Sequence, residues 1–161
     1  MKRILILKFI TLLGVALFFN SCGKQPFYEK VYSFENKEWN QQVKPSFTVD
    51  IKDINQEYNF IVTLRTTTDY KYSNLWIFMN TETPNGEKAR EPFQIPITYP
   101  DGSWVGTKTG TIVEHPLRFN KRKMPIAGKY TFVLEQGITE SDIDEVLDIG
   151  FRVEKVEIKK Q

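Results

Sequence analysis

Apolar side chains recur at every second position over several short stretches of this chain, the signature of strands with one buried face. Phe47, Val49 and Ile51 share one side, while Thr48, Asp50 and Lys52 take the other. Tyr58, Phe60, Val62 and Leu64 repeat the arrangement against Asn59, Thr63 and Arg65. Tyr130, Phe132 and Leu134 do the same, and so do Ile149, Phe151 and Val153. The apolar parity then slips to Val156 and Ile158, which predicts a bulge or break near Glu154-Lys155. Leu75-Trp76-Ile77-Phe78-Met79 is apolar on both sides, so it is either a central covered strand or a strand with an exposed aromatic face. Pro84-Asn85-Gly86, Pro100-Asp101-Gly102 and Ala127-Gly128 supply turn signals between the runs. Only Thr139 to Leu147 is spaced for a helical turn or two, with Thr139 as N-cap and Asp142 three residues on. Many short strands separated by turns predict an all-β chain, a single antiparallel β-sandwich of jelly-roll-like form.

The N-terminus follows another pattern. Met1-Lys2-Arg3 is basic, and Phe9 to Phe19 is apolar apart from Thr11. That run is too short to cross a hydrocarbon core, which needs roughly 20 apolar residues as a helix, but it suits the apolar region of a signal peptide. It ends in Asn20-Ser21-Cys22-Gly23, which resembles a relaxed bacterial lipobox, the site where a thiol is acylated and becomes the new N-terminus. Cys22 is the only cysteine, which excludes an intramolecular disulfide and a cysteine-rich metal site. The expected organisation is a signal peptide over 1–21, a lipidated Cys22 with a tether to residue 29, and a sandwich domain over 30–161. Acyl chains on Cys22 would then hold the protein at a membrane.

Charge matters only after that cut. Removing Lys2, Arg3 and Lys8 takes the formal charge from +2 to −1, so the mature chain as a whole is no polyanion binder. Nucleic acid is not an expected partner of an exported protein. About 140 mature residues suffice for one domain with a real core.

Catalytic constellations are sparse. His115 is the only histidine, which removes Ser-His-Asp, Cys-His and multi-histidine metal sites. It precedes Pro116 and reads as a surface loop residue. Glu140-Ser141-Asp142-Ile143-Asp144-Glu145 lacks the glycine and ligand spacing of a calcium loop and reads as a solvated acidic stretch. Arg118-Phe119-Asn120-Lys121-Arg122-Lys123 reads as a charged hairpin loop, with contact to anionic lipid headgroups as its functional alternative. No catalytic residue, cofactor, metal or small-molecule substrate is expected. Trp39, Trp76 and Trp104, with Tyr70, Tyr72 and Tyr99, are open to core packing, partner contact or sugar stacking.

Two strings are distinctive: Leu64-Arg65 leading through Asp69-Tyr70, Tyr72 and Asn74 into Leu75-Trp76-Ile77-Phe78, and Asp101-Gly102-Ser103-Trp104-Val105-Gly106 with Gly110. Gly128, Tyr130-Thr131-Phe132, Glu135-Gln136 and Asp148-Ile149-Gly150-Phe151-Arg152-Val153-Glu154 follow. In this order, behind a lipobox, they resemble the gliding motility-associated GldH lipoproteins of Bacteroidetes across essentially the whole mature chain. The chain departs from that pattern at Arg90-Glu91-Pro92-Phe93 and at Gly137-Ile138-Thr139. The resemblance implies a non-enzymatic, lipid-anchored accessory of gliding motility or of type IX secretion, acting through other envelope proteins. Gly23-Lys24-Gln25-Pro26 lacks an acidic surface-export cluster, so the expected location is the periplasmic face of the outer membrane.

Read from the residues, Asp69 and Asn74 are placed to fix a turn through backbone amides. Gly102, Gly106 and Gly110 shape a loop around Trp104. Tyr70, Tyr72, Asn74, Trp76 and Trp104 are therefore the candidate partner-binding residues, with Tyr70, Tyr72 and Trp104 expected near one exposed surface. A glycan-binding lipoprotein is the alternative, and it requires a coplanar aromatic platform beside polar groups.

Overall fold

The computed structural model describes residues 25–157. Cys22, the signal sequence and the C-terminal limit of the expected domain lie outside them. The described strands are β1 (Tyr28–Ser33), β2 (Glu38–Asn40), β3 (Ser46–Ile51), β4 (Tyr58–Thr67), β5 (Asn74–Glu82), β6 (Lys88–Pro96), β7 (Thr107–Thr109), β8 (Ile112–Arg122), β9 (Gly128–Gln136), β10 (Asp142–Asp144) and β11 (Val146–Lys155). One sheet runs β1-β11-β4-β8-β7 and a second runs β3-β9-β5-β6, while β2 pairs with β10. Neighbouring strands are antiparallel throughout.

The alternating runs become strands because one side of each can be removed from water between the two sheets. Phe47 of β3 and Phe132 of β9 stack on Phe151 of β11, at 5.4 and 4.7 Å between ring centroids. Phe60 of β4 lies 5.6 Å from Phe132. These rings join the sheets, and each buried aromatic contributes roughly 1.5–3 kcal/mol relative to exposure. Trp39 of β2 is wholly buried, stacked on Phe34 at 4.8 Å, and donates its indole N–H to the Val43 carbonyl.

Two expectations fail here. Residues 139–147 form no helix: Ile143 and Val146 are buried on β10 and β11, and β10 pairs with β2. A helix there would forfeit that pairing. The parity slip near Glu154-Lys155 marks a break: β11 stops at Lys155, and the Val156 N–H then donates to the Glu57 carbonyl. Register shifts within the sheet fall at Val146/Asp148 and at Tyr58/Phe60. Finally, His115 is no surface loop residue. It is buried on β8, with Nε2 3.1 Å from Thr66 Oγ1. The alternation of β8 turns it inward with Val113, and burial pushes its pKa down to about 4.

The sandwich has two distinct ends. At the end where the chain enters, Tyr58 aligns with Lys155 on one side and Arg122 on the other, and Ile51 aligns with Gly128. The opposite end carries the loops after β4, after β6 and after β9.

Candidate partner-binding face

The side chains of β5 divide by parity. Leu75, Ile77 and Met79 enter the core, while Asn74, Trp76 and Phe78 point outward. The sequence left open whether this run is covered on both sides. Trp76 is 44% exposed, so it is a strand with an open aromatic face. Gln94 of β6 stands opposite Trp76, and Pro96 opposite Asn74. On the other flank the Gly137 N–H donates to the Trp76 carbonyl at 2.7 Å. A Cβ at Gly137 would lie 3.0 Å from the Phe78 ring, so only glycine fits there without a shift.

Phe78 is less available than Trp76. The Arg90 guanidinium carbon sits 3.5 Å above its ring, and Arg90 also pairs with Glu135 at 3.2 Å. Glu135 accepts a second cation, Lys44, at 2.9 Å. Lys44 first, and Arg90 with it, hold the Glu135 carboxyl below its ordinary range. Across this face the aromatic row therefore grades from an open indole to a cation-capped phenyl ring.

The candidate tyrosines have different situations. Tyr70 is buried, its hydroxyl 3.4 Å from the Asn74 carbonyl, and burial raises its pKa. Tyr72 is half-buried, edge-on to Tyr70 at 5.7 Å, and donates its hydroxyl to Glu140 at 2.5 Å. The turn they occupy is fixed by neither Asp69 nor Asn74 side chain. The Thr67 hydroxyl accepts the Asp69 N–H, and the Thr68 N–H donates to the Thr111 carbonyl. Thr67 already lies at the end of β4 with its Oγ1 aimed at this bend, which makes it the nearer acceptor.

Trp104 is half-buried and packs against the core, 6.4 Å from the His115 ring. Asp101 shapes its loop by accepting both the Ser103 N–H and the Ser103 hydroxyl. The Tyr99 N–H closes on the Ser103 carbonyl, and the Val105 N–H on the Ile97 carbonyl. The outward aromatic of this loop is Tyr99, 54% exposed. Tyr70, Tyr72 and Trp104 thus share the far end of the sandwich but not one exposed surface, because Tyr70 faces the interior.

One feature of the far side was not legible as a pair. Arg65 on β4 and Asp148 on β11 lie opposite each other, outward, in a bidentate ion pair at 2.8 and 2.5 Å. Both residues belong to the distinctive strings, yet alternation gives only the face of each strand, not its neighbour. Among the described residues no group of three or more His, Cys, Asp or Glu is placed to hold a metal. Nor is any described helix long and apolar enough to cross a membrane.

Comparison with known proteins gives consistent results. Residues 26–153 match the family model described as GldH lipoprotein. A gliding motility lipoprotein GldH homolog of Christiangramia forsetii is 28% identical over 147 residues, covering 86% of this chain and 90% of the relative. The gliding motility lipoprotein GldH of Flavobacterium johnsoniae is 28% identical over 153 residues, covering 91% and 94%. Among solved structures, a chain of infectious bursal disease virus, Gx strain, aligns with a TM-score of 0.32 at 9% identity. That alignment covers 84% of this chain and 35% of the viral one, and at such a distance it bears on neither fold nor function.

Proposed function

We propose, for a chain that belongs to the GldH lipoprotein family, that it serves gliding motility or type IX secretion as a non-enzymatic envelope protein docking to other components. Cys22 carries the acyl chains, and the domain faces the periplasm from the outer membrane. Among the observations that support docking, the exposure of Trp76 carries most weight: a large aromatic left 44% open on a strand that is paired on both flanks. Exposed Trp on a rigid element is a typical anchor for a protein partner, since little conformational entropy is lost when it is covered.

The secretome of a clean deletion strain, beside its parent, tests the functional half. Loss of type IX cargo from medium and surface would support a role in secretion; normal export together with lost gliding would place the role in the motility machinery. Normal export with normal gliding would overturn both. Trp76→Ser in the chromosomal copy tests the surface, with the expectation of a deletion-like phenotype at unchanged protein level. Cys22→Ser tests the anchor, which should move the protein from the membrane to the soluble fraction.

A glycan-binding reading has one observation in its favour: Trp76 is flanked by the amide side chains of Asn74 and Gln94. Against it, the neighbouring ring of Phe78 is already capped by Arg90, so a platform of two open coplanar rings is not assembled on this face. Titration with purified envelope glycans separates the readings, because sugar binding abolished by Trp76→Ser would favour the glycan.

A further inference from the structure

The end of the sandwich at which the chain enters is built unlike the other. Phe27, 37% exposed, precedes β1 and packs on Tyr58 at 5.4 Å between ring centroids. Tyr58 reaches back with its hydroxyl to the Asp53 carbonyl, 3.3 Å away. That contact fixes the loop presenting Ile54, which is 45% exposed. The loop is also tied to the end of β11, since Gln56 Nε2 donates to the Val156 carbonyl and the Val156 N–H to the Glu57 carbonyl. Two exposed apolar side chains are therefore held at one end by a common scaffold.

Cations stand at the same end. Lys155 Nζ lies 4.9 Å from the centre of the Phe27 ring, and Arg122 aligns with Tyr58 from the other side. Between Tyr58 and Phe60 the register with β8 shifts, and Lys121 adopts a left-handed φ of 52°. Asn59 Oδ1 accepts the Lys121 N–H and holds that conformation. A non-glycine residue at positive φ costs on the order of 1 kcal/mol and persists only where its surroundings enforce it. The bulge turns the end of β8 so that Lys121, Arg122 and Lys123 are all exposed there. Among the described residues none of these three forms an ion pair. The basic run is thus the end of a strand, not the hairpin loop expected from sequence, and its charges are unspent.

We propose that this end of the domain docks on an anionic lipid surface, with Phe27 and Ile54 at headgroup depth and Lys121, Arg122, Lys123 and Lys155 against lipid phosphates. The inference rests on the lipid anchoring of Cys22 proposed above. Phe27 follows Cys22 by five positions, so the chain can stretch at most about 18 Å between them. This end therefore stays beside the bilayer. Exposed aromatic and aliphatic side chains ringed by Lys and Arg are the composition that favours the membrane interface. Docking here would orient the opposite end, with Tyr72, Tyr99 and the Trp104 loop, away from the membrane.

The test uses the full acylated protein reconstituted in vesicles of about three parts phosphatidylethanolamine to one part phosphatidylglycerol. An environment-sensitive fluorophore is attached at Ile54→Cys, or at Ile112→Cys near the opposite end, since acylation leaves Cys22 no free thiol. Co-flotation with vesicles reports the anchor, and quenching of the fluorophore by headgroup-labelled lipid reports docking. Quenching at least several-fold stronger at position 54 than at 112 is expected. It should fall toward the level at 112 in the Lys121→Gln, Arg122→Gln, Lys123→Gln variant. Protein that floats with equal quenching at both positions would overturn the docking while leaving the anchor intact. Protein that fails to float would overturn the anchor, and the docking with it. Stronger quenching at 54 that the triple variant leaves unchanged would overturn the electrostatic contact.

Discussion

At the residue scale, His115 shows how a single buried group ties stability to pH. Its pKa is depressed from 6.5 to about 4 by burial, so the unfolded chain takes up a proton that the folded chain resists. The associated stability is therefore complete above pH 6.5 and is lost progressively as pH falls toward 4, to a total of about 3 kcal/mol. Urea unfolding between pH 7 and 4.5 should show this loss in the wild type. His115→Gln should flatten that part of the profile, although it weakens the contact with Thr66; a parallel profile in both proteins would exclude His115 as the cause.

The Arg65–Asp148 pair supplies a second case at this scale. Asp148 is nearly enclosed while the Arg65 side chain is 43% exposed. Removing either partner is not equivalent. Arg65→Ala strands a buried carboxylate and should cost roughly 2–3 kcal/mol, whereas Asp148→Ala leaves a guanidinium that water can reach and should cost less. Denaturant midpoints of both variants measure the asymmetry, and equal losses would contradict it.

At the scale of elements, the strands follow from binary alternation but their closure depends on where one backbone approaches another. Gly106 is the clearest instance. A Cβ there would fall 2.1 Å from the Glu114 carbonyl oxygen, so the loop carrying Trp104 can lie against β8 only with glycine at this position. Gly102 has a positive φ of 82° but open space around it. Gly106→Ala should therefore destabilise by several kcal/mol, and Gly102→Ala by only about 1 kcal/mol. Thermal unfolding of the pair distinguishes a steric requirement from a conformational one. The run Thr139–Leu147 makes the complementary point. Its acidic residues and N-cap spacing favour a helical turn locally, yet β2 offers Trp39 as a cross-strand neighbour for Ile143, and burial of that pair outweighs local preference.

At the scale of the whole molecule, the core is shared between sheets whose strands are distant in sequence. β1 pairs with β11, and β3 with β9. The rings of Phe47, Phe60, Phe132 and Phe151 unite those pairs. Phe151→Ala should cost about 3–5 kcal/mol, and should lower the single unfolding transition as a whole and not detach one sheet. Coincident near- and far-UV circular dichroism transitions would verify this, and separated ones would refute it. Because so many contacts must wait for long loop closures, folding is expected in milliseconds to seconds.

The division of information between sequence and structure follows from the range of the forces involved. Alternation along β3, β4, β9 and β11 settled the all-β class and the inward residues, because a strand's side-chain period is local geometry and needs no partner. The order of the distinctive strings was sufficient for the resemblance to the family. The fates of Trp76, Tyr70, Trp104 and His115 were decided only in three dimensions. Whether an aromatic is covered depends on which strand lies beside it, and alternation says nothing of neighbours. The same holds for the pairing of Arg65 with Asp148, and for the bulge that leaves Lys121, Arg122 and Lys123 exposed at the end of the sandwich that also presents Phe27 and Ile54. Local chemistry names the face of each strand; packing between distant segments decides what that face meets.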